Sequence, residues 1–224
     1  MSKKVFSLIC AVSCSLIWGS AFIAQDMGMD YNGPFTFTFG RLFLGFLTLI
    51  PFLLIYEYKK IKPLIFKTQN IYNFLLIGFL LSMGNALQQF ALLYTDVANT
   101  AVFTIFYVVL VPFVSYYFFS KFIHNSVWLA IIICLFGGIL LTEFDNIQVR
   151  IGDSIAVVNA LFWAFHIVFI SRFLKVFNFP ITIACVQCLI ASFFALLPAL
   201  IFENVELSNI CLLYTSDAAD DVNG

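Results

Sequence analysis

Hydrophobic residues in this chain gather into long runs that short polar segments separate. Seven runs reach or approach the length of about 20 residues that an α-helix needs to cross a bilayer core of about 30 Å. A helix pairs its backbone N–H and C=O groups within its own span, so each run is predicted to be a transmembrane helix. The predicted spans are Val5–Ile23, Pro34–Tyr56, Ile71–Tyr94, Ala98–Ser120, Ser126–Thr142, Ser154–Leu174 and Pro180–Phe202.

The composition fits a membrane protein and excludes an ordinary soluble one. Hydrophobic residues make up 62% of the chain and charged residues 10%, whereas soluble domains contain about 25% charged residues. The net charge of −1 comes without a basic patch of the kind that binds nucleic acid. The expected surroundings are therefore a lipid bilayer, and no nucleic-acid partner is predicted.

The charges in the loops predict an orientation. Nine of the eleven Lys and Arg residues fall at the membrane face that holds the N-terminus. The exceptions are Arg41, inside a span, and Arg150. The opposite loops carry mainly acids, such as Asp26 and Glu203. The positive-inside rule therefore predicts a multi-pass protein of the cell (inner or plasma) membrane with a cytoplasmic N-terminus.

Residues 211–224 differ abruptly from the rest of the chain, being acidic and without helical amphipathicity. The stretch Cys211–Asp221 also reads as the translation of a common sequencing adapter. We therefore expect native sequence to end near Ile210 and 211–224 to be a non-native tail, which belongs outside structural reasoning. A native extracellular loop is the alternative.

An internal repeat relates spans one and two to spans six and seven. Proline and tryptophan recur at nearly the same spacing in both pairs, and the offset between the copies is five spans. Because five is odd, the second copy must enter the membrane from the opposite face, and inverted repeats of this kind are common in secondary transporters. The corresponding positions are Trp18 and Trp163, Pro34 and Pro180, Arg41 and Gln187, and Pro51 and Pro198.

Short motifs are spread over the spans from about Val5 to Glu203. They are Trp18–Phe22, Pro34 with Arg41, Ala91–Thr95, Val111-Pro112, Gly137-Gly138, Gly152-Asp153 and Trp163-Ala164. Together they resemble the EamA-like transporters of the drug/metabolite transporter superfamily. That resemblance implies ten spans in two five-span repeats, of which this chain would hold 1–144 as the first repeat and 145–210 as a truncated second. The predicted fold is an all-α membrane protein, with seven transmembrane helices of a ten-helix bundle built from two inverted five-helix repeats.

Arg41 lies inside a span and therefore requires an explanation, because a charge at membrane depth costs at least about 2.5–3.5 kcal/mol on insertion scales. It is seven residues into the second span, which is about 10 Å of helix. One interpretation is contact with an anion or carboxylate in a transport path. The other is a structural arginine that snorkels outward or binds carbonyls at a helix end.

Further polar and aromatic residues recur at helical spacing on three spans. Stripes of this kind predict a cavity for a small amphipathic solute. The alternative is interhelical hydrogen bonding, at about 0.6 kcal/mol per contact, together with aromatic packing. With Arg41, the predicted substrate-binding residues are Trp18, Phe22, Arg41, Asn85, Gln89, Asn159, Trp163 and His166.

The leading functional hypothesis is a secondary carrier, in the direction of export, for small organic metabolites such as amino acids, working by alternating access. A seven-span receptor or structural membrane protein is the alternative. An enzyme is not predicted, because paired membrane aspartates and metal motifs such as H-E-x-x-H are missing. The pair Cys185-x-x-Cys188 alone is weak for zinc, so no catalytic residue, metal or cofactor is predicted. The predicted partners are a small-molecule metabolite and lipid, and a homodimer is left open.

Overall fold

The structure is a computed structural model that describes residues 3–29, 32–61, 67–120, 123–141 and 150–203. Within those ranges the chain is almost entirely α-helical and contains no strand. The helices are α1 (Lys3–Met29), α2 (Pro34–Tyr56), α3 (Tyr58–Ile61), α4 (Thr68–Leu92), α5 (Val97–Ile105), α6 (Tyr107–Phe119), α7 (Asn125–Leu141), α8 (Ile151–Phe177) and α9 (Pro180–Phe202).

Six segments of the described chain are long and apolar enough to cross a membrane, which confirms an all-helical, multi-pass protein. The predicted fifth span corresponds to α7, whose apolar part Asn125–Gly138 is shorter than the other candidates. At 1.5 Å per residue, the 17 residues of α7 span about 26 Å. The count of seven spans and the ten-helix bundle therefore stay predictions. The predicted tail, 211–224, lies outside the described residues.

The predicted fourth span is divided into two helices. The helical ladder is interrupted at Phe106, whose N–H bonds to the carbonyl of Phe103, three residues back, at 3.2 Å. Pro112 lies six residues further on, inside α6. The pair α5–α6 still reads as one apolar crossing, Val97–Phe119.

The helices of the predicted second copy pack between those of the first. α9 lies along α2 and α4, and α8 lies along α4, α5 and α6. α1 and α7 have less extensive contacts, and the side chains of residues 5–20 in α1 are exposed. The core of the described bundle therefore sits where α2, α4, α8 and α9 meet.

Packing against α4 depends on two glycines. A Cβ on Gly78 would lie 2.5 Å from a methyl carbon of Ile190 on α9, and one on Gly84 would lie 3.3 Å from the ring of Trp163 on α8. Small residues permit such close approach between membrane helices, where packing rather than water exclusion supplies the attraction.

Two carboxylates join α2 and α9 at opposite ends. Glu57, which follows α2, accepts hydrogen bonds from the N–H of Thr182 at 2.8 Å and from its hydroxyl at 2.6 Å, at the start of α9. Glu203, which follows α9, accepts from the N–H of Thr36 at 2.7 Å and from its hydroxyl at 2.6 Å, at the start of α2. The two helices are therefore antiparallel. We call these contacts the Glu57 cap and the Glu203 cap.

The two glutamates supply the N-terminal capping that the residues before α2 and α9 do not. Both helices begin with proline, and neither N-cap residue, Gly33 or Phe179, makes a side-chain capping bond. The first N–H groups of a helix have no intrahelical partner and carry partial positive charge, so a carboxylate there is favourable. A Cβ on Gly33 would lie 2.3 Å from the carboxyl carbon of Glu203, so glycine makes room for that cap.

Candidate functional site

We call the end of the bundle at which α2 and α8 begin the outer end, following the predicted orientation. At 1.5 Å per residue, Arg41 on α2 and Asn85 on α4 each lie about 10 Å from this end. Asn159 lies about 12 Å from it, and Trp163 about 18 Å. Arg41, Asn85 and Asn159 therefore lie at a similar depth.

Arg41 bonds to Asn85 on the neighbouring helix. One terminal nitrogen of its guanidinium donates to Oδ1 of Asn85, whose own amide group donates to the carbonyl of Leu81 at 2.7 Å. The guanidinium carbon lies 5.7 Å from the ring centroid of Phe37, a cation–π distance. The neutral amide of Asn85 leaves the positive charge uncompensated, and no carboxylate in the described ranges forms an ion pair with Arg41.

Aromatic rings form a row beside this contact. Trp18 on α1 stacks on Tyr107 at 6.2 Å between centroids and lies 5.2 Å from Trp163 on α8. Trp163 then meets the ring of His166 edge-on at 5.8 Å. The row contains two tryptophans that the sequence places at corresponding positions of the repeat. Phe22, partly buried one turn further along α1, takes no part in these ring contacts.

The row and the arginine share a core. Leu42, which follows Arg41, and Leu81, which lies one turn before Asn85, form a buried cluster with Trp163 and Ala191. The ring of Trp163 packs against Gly84, the residue that immediately precedes Asn85 in α4. The structure therefore brings together predicted site residues from α1, α2, α4 and α8.

Buried polar atoms without hydrogen-bond partners concentrate in this region. They include Nε of Arg41, both amide atoms of Gln89, Oδ1 of Asn159 and Nε1 of Trp163. Leaving a buried polar atom unpaired costs about 1–3 kcal/mol, so such clusters require an explanation. Bonding to a polar ligand is one way to satisfy them.

Two of the predicted residues have partners of their own. Nδ2 of Asn159 donates to the hydroxyl of Thr104 on α5 at 3.2 Å. Nε2 of His166 lies 3.0 Å from Oε1 of Gln187 on α9. Gln187 corresponds to Arg41 in the repeat, so both copies place a polar contact at the same position of the related helices.

Sequence reasoning missed the partners in this network. The repeat indicates Gln187 only as the counterpart of Arg41, and the charge pattern indicates Glu203 only as a loop acid. Nothing in that pattern singles out Glu57. A signal was present, because each glutamate follows the proline that opens its helix by the same interval, from Pro34 and from Pro180. That equality of spacing would have placed the two carboxylates at corresponding ends.

A third contact joins α8 to the end of α4 at the outer end. The hydroxyl of Thr95 donates to Oδ1 of Asp153 at 2.6 Å. A Cβ on Gly152 would lie 2.7 Å from the carbonyl oxygen of Ala91, so only glycine permits this approach. The residues Ala91–Thr95 and Gly152-Asp153, two of the motifs recognised in the sequence, therefore contact each other.

Two cavities of the described chain lie away from the predicted residues. One of about 350 Å³ opens between α5 and α7, with Phe103, Phe106 and Cys134 among its walls. One of about 160 Å³ lies between α6 and α8. Neither is lined by a predicted substrate-binding residue, so that assignment stays a prediction.

Residues suited to a metal are dispersed. Within the described ranges no group of three or more His, Cys, Asp or Glu side chains lies close enough to hold an ion. Cys185 is buried with its sulfur 4.0 Å from the carbonyl oxygen of Phe46, and Cys188 is partly buried beside Gly45. These thiols pack the contact between α2 and α9.

Comparison with known proteins agrees with the helical pattern. The model of the EamA-like transporter family matches residues 5–143. A protein of Archaeoglobus fulgidus named an uncharacterized transporter is 27% identical over 218 residues, which cover 96% of this chain and 66% of the relative. The chain thus spans just under two thirds of the length of that relative. No solved structure matches the present chain. Because the family model covers more than half of its length, the chain belongs to the EamA-like transporter family.

Proposed function

We propose that this protein is a secondary carrier that exports small organic metabolites bearing a carboxylate, such as amino acids. The observation that carries the proposal is the guanidinium of Arg41, whose Nε is buried, bonded to a neutral amide and without an acidic partner in the described chain. Arginine recognises carboxylates through two parallel N–H donors. The family is one of transporters and not of enzymes.

The surrounding residues suit an amphipathic solute. The rings of Trp18 and Trp163 offer an apolar surface, while the unpaired amide of Gln89 and the indole N–H of Trp163 offer polar groups. Ligand sites are mostly apolar with a few convergent polar groups. An amino acid with an apolar side chain matches that combination.

For the mechanism we propose alternating access between inverted repeats. The Glu57 cap and the Glu203 cap support it, because the same contact occurs at both ends of an antiparallel pair formed by corresponding helices. Between the two caps, α2 and α9 are in ordinary van der Waals contact at Gly45, where a Cβ would lie 3.8 Å from the sulfur of Cys188. Rocking about this contact would open one end while the other stays closed.

The test is flux of labelled amino acids in vesicles that contain the purified chain. We expect Arg41→Gln to lower saturable flux about tenfold or more, because a hydrogen bond to a charged group contributes about 1.5–3 kcal/mol. Arg41→Lys keeps the charge but loses the paired donors, and should give an intermediate rate.

Arg150→Gln is the matched control, because Arg150 is an exposed arginine paired with Asp96 at 2.5 Å. It should transport like the unmodified chain. Equal flux in Arg41→Gln and Arg150→Gln would remove Arg41 from substrate recognition. Absence of saturable flux for every carboxylate tested, in vesicles of either orientation, would overturn the carrier proposal.

A further inference from the structure

The cavity between α6 and α8 is lined by residues of differing polarity. We call it the α6–α8 groove. It measures about 160 Å³, and its walls combine apolar side chains, two serine hydroxyls and two basic residues. α6 and α8 are parallel, since Val114 packs with Ala164 and Val168, and Phe119 further on packs with Phe169. Both helices therefore end at the inner face, where most of the bases lie.

The polarity of the groove changes in one direction along both walls. On α6 the groove residues run from Val111 through Ser115 to Phe119, and on α8 from Ile167 through Ser171 to Lys175. Positions four apart lie on one face of a helix, so each of these series is a stripe of about 12 Å. Val168 and Arg172 form a second stripe beside it on α8. The groove thus passes from apolar to hydroxyl to aromatic or cationic as it nears the inner face.

The cationic end is arranged to receive an anion. The guanidinium carbon of Arg172 lies 4.3 Å from the ring centroid of Phe119, a cation–π contact that keeps the side chain at the groove. Within the described ranges neither Arg172 nor Lys175 forms an ion pair with a carboxylate. Two cations and the hydroxyl of Ser171 therefore meet at one place, without an acidic partner among the residues that the structure describes.

We propose that the α6–α8 groove binds an anionic phospholipid. Its phosphate binds Arg172, Lys175 and Ser171, and the part of an acyl chain nearest the head group packs against Val111 and Ile167. Basic pockets between transmembrane helices at the cytoplasmic side are suited to anionic head groups. The order of side chains along both walls matches the order of groups along a phospholipid. A free anion would use the cationic end alone and would not need the apolar wall.

The test counts lipids that remain bound to the full purified chain. The chain is reconstituted with mixtures of phosphatidylglycerol and phosphatidylcholine, and retained lipid is measured by native mass spectrometry. We expect preferential retention of phosphatidylglycerol. In the variant Arg172→Gln/Lys175→Gln its affinity should fall about twenty-five-fold, because each base near an anionic surface contributes roughly a factor of five. Added salt should weaken the retention.

The matched control is Lys59→Gln/Lys60→Gln, which removes two exposed bases of α3 at the same membrane face. It should retain phosphatidylglycerol like the unmodified chain.

Phe119→Leu keeps both charges but removes the ring beneath Arg172, and should lower the affinity by a smaller factor. Val111→Ser should also weaken lipid retention, since it removes apolar wall.

Two results would overturn the proposal. One is equal retention of phosphatidylglycerol by the groove variant and the control variant, because general surface charge would then explain the retention. The other is full displacement of the lipid by an equal concentration of inorganic phosphate, which would make the groove a site for a free anion. The test requires no transported solute, so its outcome does not depend on the carrier proposal.

Discussion

Several contacts in this bundle tolerate only one residue type, and Gly152 shows the effect most directly. Its Cα faces the backbone of α4 at Ala91 and the side chain of Thr95, each 2.7 Å from where a Cβ would lie. A carbonyl oxygen cannot turn aside as a flexible side chain can. The position therefore fixes how closely the start of α8 approaches the end of α4.

We expect Gly152→Ala to lower the free energy of unfolding by about 1–3 kcal/mol, because the added methyl group overpacks a backbone contact. It should also separate the hydroxyl of Thr95 from Asp153. The measurement is denaturant-induced unfolding of the purified chain in detergent micelles, followed by circular dichroism.

Gly40→Ala supplies the comparison, since a Cβ on Gly40 would meet nothing within 4 Å. Alanine there should raise stability by about 0.5–1 kcal/mol, the usual gain in a helix interior. Similar unfolding free energies for the two alanine variants would show that the approach at Gly152 is not restrictive.

At this scale the sequence identified unusual polar positions inside the spans, but it did not identify the partners of most of them. Arg41 and Asn85 stood out because polar side chains are rare inside spans, and the structure joins them. The bond between His166 and Gln187 connects α8 to α9 and depends on how those helices are rotated. The spacing of Trp18 and Phe22 puts both on one face of α1, but aromatic spacing alone does not distinguish which ring joins the row with Tyr107 and Trp163.

At the level of helices, α2 and α9 are the best-defined pair. Each begins with proline, contains a second proline, and ends beside the start of the other. With 23 residues in each helix, the Glu57 cap and the Glu203 cap are about 34 Å apart. Any rocking of one helix against the other must therefore strain at least one cap.

We expect a covalent link across either end of this pair to block transport. The variants Thr36→Cys/Glu203→Cys and Thr182→Cys/Glu57→Cys, in a background without other cysteines, are treated with a short cleavable thiosulfonate cross-linker. Flux should fall by at least about tenfold in each linked variant, because alternate opening needs both ends to separate in turn. The measurement is flux of labelled amino acids in vesicles.

Cleavage of the linker is the internal control. Flux must return on reduction, since otherwise loss of the cap itself explains the defect. A linked variant that transports at the rate of its reduced form would show that α2 and α9 move as one body.

Helix bounds followed the sequence where a strong local signal exists. The predicted limits of α2 and α9 match the structure, because proline begins both helices and charged residues follow their ends. α1 continues past Ile23 to Met29 and α8 begins at Ile151 rather than Ser154. Hydropathy detects only the apolar part of a helix, whereas backbone bonding continues into its polar ends. The break at Phe106 has no sequence signal that we recognise.

Across the whole molecule, the two predicted copies are interleaved rather than side by side. α8 and α9 contact α2, α4, α5 and α6 more extensively than they contact α1 or α7. The sequence predicted the repeat from four pairs of positions, but apolar patterning carries no information on which helix lies next to which. That arrangement depends on small residues and polar contacts distributed along the chain.

Inverted topology makes a direct prediction for two asparagines. Asn32 precedes α2 and Asn178 precedes α9, so they lie at opposite ends of an antiparallel pair. In a cysteine-free background, Asn32→Cys should react with an impermeant maleimide from outside the cell, and Asn178→Cys only after the membrane is permeabilised. The positive-inside rule sets which of the two is external.

Labelling of both positions from the same side would contradict the inverted arrangement. Labelling from opposite sides in the reverse order would keep the arrangement but reverse the predicted orientation. Met29→Cys, at the end of α1, gives an independent readout, because it should share the accessibility of Asn32→Cys.

The caps also have a consequence for biogenesis. The N–H of Phe35 and the carboxylate of Glu203 that accepts from it are separated by 168 residues of chain. During synthesis from the N-terminus, the start of α2 is in the membrane long before its acceptor leaves the ribosome. The first N–H groups of α2 are therefore capped only after the end of α9 has been synthesised. The partly synthesised chain, with the start of α2 uncapped, is a natural target for membrane quality control.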